Sequence, residues 1–235
     1  MQRNKLLSVT NLAFIALEML YWFLILFKAP NVNQICFLSI VTAFCYSLTG
    51  FSVKKKSFLI PLGLLFTCSA DFCLVICNPP QTLLSLVFFS FVQIFYAIQI
   101  IKDLSKSGKK ISVKGIILAR VLVSVIFTVA PVIVLGSSAD LVSVITLFYF
   151  SNLIMNLVCC FFDVKRNLSL IIGLICFICC DILVGLGYAD GVYFTIPKES
   201  LIYSILHSGV NLIWLFYIPS QTIISLFAQK VKKSV

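Results

Sequence analysis

The sequence predicts an all-α fold, a polytopic membrane bundle of about eight transmembrane helices with both termini in the cytoplasm. Three features carry that reading. Apolar runs long enough to cross a bilayer recur along the chain, the joints between them are short and rich in turn residues, and basic residues gather in alternate joints. Of 235 residues, 61% are hydrophobic and 11% charged, with a mean hydropathy of +1.11, whereas a soluble domain is about half apolar and a quarter charged. A water-soluble fold cannot hide that much apolar surface. No polar stretch separates a second part, so residues 1–235 read as a single integral membrane domain, placed in a cell membrane as a multi-pass protein.

A hydrocarbon core about 30 Å thick needs roughly 20 apolar residues in a helix. The first run, approximately 6–27, follows Arg3 and Lys5 in the manner of a signal peptide, but it continues to Phe27, carries Glu18 and precedes no small-x-small cleavage site. It therefore reads as a first span. The second, approximately 32–51, begins after Pro30, and the third, approximately 57–77, stops at Asn78-Pro79-Pro80. A fourth at about 81–101 gives way to a lysine-rich joint containing Gly108, and a fifth at about 111–135 ends at Gly136-Ser137-Ser138. The sixth and seventh cover about 139–162 and 167–188, the latter followed by Gly191, and the last covers about 201–227 as one span. No strand-like alternation competes, which sets a membrane barrel aside.

With the N-terminus inside, the cytoplasmic segments collect Arg3, Lys5, Lys54, Lys55, Lys56, Lys102, Lys106, Lys109, Lys110, Lys114, Lys165, Arg166, Lys230, Lys232 and Lys233, and the opposite side keeps Lys28 and Lys198. That asymmetry is what the positive-inside rule requires, and an error of one span would destroy it. A net charge of +10 would suggest nucleic acid as a partner for a soluble protein. Here the charge reports topology, and nucleic acid is not expected.

The ten cysteines lie within or at the ends of apolar runs, where free Cys behaves as a small hydrophobe, so a disulfide framework is not expected. Cys176 and Cys179 have redox or zinc spacing, but no second ligand pair accompanies them, and the chain has a single His. Neither a metal nor another cofactor is expected.

An ionisable group at mid-membrane is expensive unless it faces the bundle interior, so each one is a functional candidate. Glu18, Asp71, Arg120, Asp181 and His207 qualify. Arg120 lies about 9 Å along its helix from Lys114, within reach of cytoplasmic headgroups, and is expected to snorkel there. His207 falls near the outer surface. The aspartates are too short to escape: Asp71 stands about 15 residues past Lys56 and Asp181 about 15 past Arg166, which places each roughly 22 Å beyond its cytoplasmic anchor. Glu18, Tyr149 and Tyr217 reach a similar depth, which predicts a polar layer inside the bundle. Gly63 and Gly173 precede the two aspartates by the same offset, an echo that suggests parallel repeats of spans 1–4 and 5–8.

Two carboxylates in a low-dielectric site seldom both ionise, so one can hold a proton while its partner stays an anion. That division serves acid/base hydrolysis, as in glycosidases. It also serves a proton path in a transporter, or a purely structural pair satisfied by Tyr, Asn and Ser. The residues alone leave all three open.

The order of motifs resembles the YhhN-type lysoplasmalogenase family, small membrane proteins understood to have eight spans. Ser69-Ala70-Asp71-Phe72-Cys73-Leu74 stands where that family has Gly-Asp followed by apolar residues, and Gln93-Ile94-Phe95-Tyr96 resembles its His-x-x-Tyr. Tyr149 and Met155 have the spacing of its Tyr and Met. The stretch from Gly173 to Cys180-Asp181 is similar to one ending Phe-x-x-Ser-Asp, and Tyr217-Ile218-Pro219-Ser220-Gln221-Thr222-Ile223-Ile224 looks like Tyr-x-x-Ala-Gln-x-Leu-Ile. The departures are Gln93 for the usual histidine, Ala70 for glycine and Cys180 for serine. Both aspartates remain.

The resemblance implies hydrolysis of the vinyl ether bond of lysoplasmalogens to an aldehyde and a glycerophospholipid, with Asp71 and Asp181 catalytic. Glu18, Gln93, Tyr96, Tyr149, Asn152, Tyr217 and Gln221 would then bind substrate. The expected partners are a lysophospholipid or plasmalogen-type lipid and the membrane itself; the sequence does not disclose an oligomeric state. The readings from other classes are a small proton-coupled transporter and a non-catalytic lipid-binding protein.

Overall fold

A computed structural model describes residues 2–53, 58–108, 112–208 and 211–229, without the side chains of residues 2–8 and 50–53. The basic clusters Lys54, Lys55 and Lys56, Lys109 and Lys110, and Lys230, Lys232 and Lys233 lie outside the described residues, as do the side chains of Arg3 and Lys5.

The described residues are predominantly helical, with no strand among them. The helices are α1 (Gln2–Leu26), α2 (Val32–Val53), α3 (Leu59–Asp71), α4 (Thr82–Ser105), α5 (Val113–Leu135), α6 (Leu141–Phe161), α7 (Val164–Ala189), α8 (Leu201–Leu206) and α9 (Leu212–Ala228). Among the described residues, seven spans are long and apolar enough to cross a bilayer, α3 counting with the turn after it. The eighth apolar helix, α9, has 17 residues and is about 25 Å long at 1.5 Å per residue. Large apolar side chains face outward, as on α5, where Leu118, Ile126 and Ile133 are exposed. In a bilayer that surface meets acyl chains.

Two local features depart from simple spans. The last one, expected as a single span over 201–227, is broken: α8 ends at Leu206, His207 caps it, and α9 restarts behind Asn211, whose Oδ1 accepts from the backbone N–H of Trp214. An asparagine offered as an N-cap stabilises a new helix start more readily than a helix interior. The third span changes winding after Asp71, where Phe72–Ile76 form a π-helical turn closed by Cys77 N–H donating to Phe72 O at 3.0 Å. Such turns interrupt a helix where a side chain must be re-aimed, and they are frequent at functional sites.

Packing places α9 centrally, against α1, α2, α3 and α7, while α6 joins α4, α5 and α7. Among the described residues, α5 packs extensively only on α6 and on the 3-10 turn Gly136–Ser138 that follows it. Close approach at the two tightest helix pairs depends on glycine. A Cβ on Gly63 would stand 2.4 Å from the Tyr96 ring of α4, and one on Gly173 would stand 2.9 Å from Ile224 of α9. The two glycines of the internal echo thus do the same work, drawing a helix against each aspartate-bearing helix.

Candidate active site

The aspartates sit on different helices and front one cavity of about 610 Å³. Asp71 closes α3 just before the π turn, and Asp181 lies two-thirds of the way along α7. Each accepts a hydrogen bond from a tyrosine on a neighbouring helix: the Tyr217 hydroxyl of α9 donates to Asp71 Oδ2 at 2.8 Å, and the Tyr149 hydroxyl of α6 donates to Asp181 Oδ2. Asp71 is 2% exposed, while Asp181 is half-buried where it faces the cavity.

The tyrosines are held by other rings. Phe89 lies 5.6 Å from Tyr149 and 6.1 Å from Phe177, which in turn lies 5.5 Å from Tyr217, with Trp214 at 5.6 Å on the far side. Tilted and edge-on packing of this kind stabilises each ring beyond its area burial and fixes the direction of its hydroxyl. From the aspartates the cavity runs past Leu86, Pro131, Val134, Leu147, Ile182 and Leu186 to Tyr193 and Phe194 in the segment after α7. Its wall is almost wholly apolar. Gly185 contributes open space, since a Cβ there would meet nothing within 4 Å.

At its far end the cavity is crossed by a strap. The Tyr193 hydroxyl donates to Asp140 Oδ1 at 2.7 Å, and Asp140 also caps α6 by accepting from Ser143 N–H at 2.7 Å. These bonds, the tyrosine's first, hold the Asp140 carboxyl below its usual range, and partial burial followed by the bond to Asp140 pushes the Tyr193 hydroxyl up to about 12.

Of the residues expected to bind substrate, Tyr149 and Tyr217 line this cavity, and the others do not. Gln93 turns toward α6, where its Oε1 and its backbone carbonyl both accept from Asn156 Nδ2 at 2.9 Å. Tyr96 covers Gly63, and Asn152 donates to Ser124 Oγ at 3.2 Å and to Phe148 O at 3.0 Å. Glu18 is buried between helices and accepts from Ser39 Oγ at 2.5 Å. Gln221 is buried with neither side-chain amide atom paired.

Arg120 overturns the expectation that it snorkels. It is 7% exposed and points inward, its Nη2 donating to Asn156 Oδ1 at 2.8 Å and to Asn152 O at 3.4 Å, and its Nη1 to Cys159 Sγ at 3.8 Å. The polar acceptors on α6 outcompete the headgroup layer. His207 is exposed and stacks on Tyr203 with centroids 3.9 Å apart. The cysteines are free, and the described residues hold no cluster of three metal-ligating side chains.

Sequence reasoning missed Phe89, Phe177, Trp214, Tyr193 and Gly185. Phe177 and Trp214 carried a usable signal, standing four residues before Asp181 and three before Tyr217, on the same helix faces. Tyr193 carried none, because it reaches the cavity from an irregular segment.

A model of the YhhN family matches residues 23–227. The chain belongs to the YhhN family. No curated protein matches it, and no solved structure does. The stretch matched to the YhhN family contains both aspartates, both tyrosines and the whole cavity wall, while Glu18 lies ahead of it.

Proposed function

We propose that this YhhN-family membrane protein hydrolyses the vinyl ether bond of lysoplasmalogens, releasing an aldehyde and a glycerophospholipid. The observation that carries the reading is the pairing of two carboxyls, Asp71 and Asp181, at one end of an apolar cavity able to hold an alkenyl chain. A vinyl ether is cleaved by acid. A proton adds to the alkene carbon β to the ether oxygen, the π electrons form the new C–H bond, and the adjacent carbon and oxygen share the positive charge as an oxocarbenium ion. Water then adds to that carbon and gives up a proton, and the hemiacetal breaks its C–O bond to leave aldehyde and alcohol.

One carboxyl of the pair donates the first proton, and its anionic partner stabilises the cation and receives the proton from water. Tyr149 and Tyr217 hold the two carboxyls in place and orient them. The apolar wall excludes bulk water, so the charge interactions at the oxocarbenium stage are stronger than in solution. The reading places both termini in the cytoplasm, in keeping with the distribution of Lys and Arg.

A proton-coupled transporter is the second reading, and the break between α8 and α9 favours it, because discontinuous helices mark transporter sites. The deciding experiment incubates purified protein in detergent with lysoplasmalogen beside an ordinary acyl lysophospholipid. Aldehyde released from the first and no cleavage of the second supports hydrolysis. No aldehyde, with proton flux in proteoliposomes, supports transport.

A further inference from the structure

Below the aspartates, toward the cytoplasmic ends of α4, α5 and α6, lies a second polar cluster that the hydrolysis does not use. Its centre is Arg120, buried, with three contacts for five N–H groups and one of those contacts to a thiol. Among the described residues no acidic side chain contacts it. The hydrogen bonds continue from Arg120 through Asn156 to the Gln93 side chain, whose Nε2 is fully buried without a partner. The cluster therefore has an unmatched positive charge and a surplus of donors. A buried guanidinium without a counter-charge is unfavourable in a low-dielectric interior, and donors left over in such a place are met by an acceptor from outside the chain.

We infer that Arg120 and Gln93 form the subsite for the phosphate of the lipid substrate, with the alkenyl chain in the apolar cavity on the other side of the aspartates. The inference rests on the proposed lipid substrate. Its geometry follows from the connectivity of that lipid. Six single bonds separate the ether-bearing vinyl carbon from phosphorus, a reach of at most about 8 Å. Tyr149, which holds Asp181, stands one to two helical turns above Asn152 and Asn156, or roughly 5–10 Å at the rise of an α-helix. A lipid with its vinyl ether at the aspartates and its chain in the cavity has its phosphate at the depth of Arg120. Arginine suits the task, since its planar fork matches phosphate oxygens in pairs. With the proposed orientation the headgroup lies on the cytoplasmic side and the chain points toward the outer leaflet, the attitude of a lipid from the cytoplasmic leaflet.

The test is a binding measurement on the full chain in detergent with probes that lack the vinyl ether: a saturated 1-alkyl lysophosphoethanolamine, the matching 1-alkylglycerol, and glycerophosphoethanolamine without a chain. Trp214, in the cavity wall, reports binding by its fluorescence, and Trp214→Phe identifies its signal. Arg120→Gln should weaken the phospholipid at least about tenfold more than the alkylglycerol, as loss of a charge-assisted contact does, and Arg120→Lys should recover part of the difference. Gln93→Glu keeps an acceptor for Asn156 and supplies an internal counter-charge, so it should also abolish the preference for phosphate. It serves where Arg120→Gln fails to fold. Equal losses for both lipids, or no loss for either, would overturn the subsite. Glycerophosphoethanolamine binding as tightly as the phospholipid would also overturn it, in favour of a site for soluble phosphate esters. Headgroup-selective binding without aldehyde release from lysoplasmalogen would refute the hydrolysis and leave this subsite standing.

Discussion

Replacing Tyr217 with Phe removes one oxygen and leaves the packing of the ring against Phe177 and Trp214 in place. What is lost is the hydroxyl that donates to Asp71 Oδ2 at 2.8 Å, in a position 2% exposed where water cannot readily replace it. A hydrogen bond to a charged group contributes about 1.5–3 kcal/mol, and 1.36 kcal/mol is tenfold in rate, so kcat for aldehyde release should fall about 10- to 150-fold. KM should change little, because the hydroxyl holds a carboxyl rather than the lipid chain. The assay is steady-state aldehyde release in detergent, beside thermal unfolding to establish that the variant is folded. Turnover within about twofold of wild type in a folded Tyr217→Phe protein would refute the claim that this hydroxyl positions Asp71 for the reaction.

Gly63→Ala should lower stability by about 1–3 kcal/mol, the usual cost of overpacking, because its Cβ meets the buried Tyr96 ring at 2.4 Å; Gly185→Ala, facing open space, should be neutral or slightly stabilising. Thermal unfolding in detergent compares the two, and equal effects would contradict the packing described. The strap at the end of the cavity should hold across the neutral range and weaken at both extremes, in acid through Asp140 and in strong base as pH rises through the raised Tyr193 value of about 12. The Asp140 carboxyl is depressed, so its contribution is full above the unfolded value near 3.8 and is lost as pH falls through the lower folded value. Amide exchange at Gly191, whose N–H donates to the carbonyl of Phe194 beside Tyr193 at 2.8 Å, should therefore stay level, once corrected for intrinsic rates, between pH 8 and 5 and rise in stronger acid; a rise near neutrality would contradict it. Reporter fusions after Lys56 and Arg166 and at the C-terminus should be cytoplasmic, and fusions at 78–80 and 189–198 should not. An external C-terminus would remove the eight-span topology.

The helices were legible because hydropathy reports directly on a lipid environment, and run length sets the number of crossings. Asp71, Asp181, Tyr149 and Tyr217 were legible as one layer because depth follows from residue count along each helix. Rotation about the helix axis is different: a count from Lys114 gives the depth of Arg120, but not that it faces Asn156 and Cys159 rather than the headgroups. The same gap separates Gln93 from the cavity, because the side chain turns to α6 and no linear pattern records that turn. The break before α9 was overlooked although His207-Ser208-Gly209 and Asn211 mark it in the sequence, Ser-Gly being a turn signal and Asn a preferred helix N-cap, because the apolar residues flanking this short polar stretch were counted as one run. The π turn after Asp71 carries no composition signal at all. It arises where α3 meets its neighbours, so it belongs to packing and not to local sequence.

The central claim is that two aspartates share one proton-transfer step, and the most direct measurement is aldehyde release from lysoplasmalogen by wild type, Asp71→Asn and Asp181→Asn. Asn keeps the size of Asp and most of its hydrogen bonding but cannot cycle a proton. Each variant should remain folded and lose at least about 100-fold in turnover, the lower range for general acid-base catalysis. Near-wild-type turnover in either folded Asn variant would contradict the paired-carboxyl mechanism.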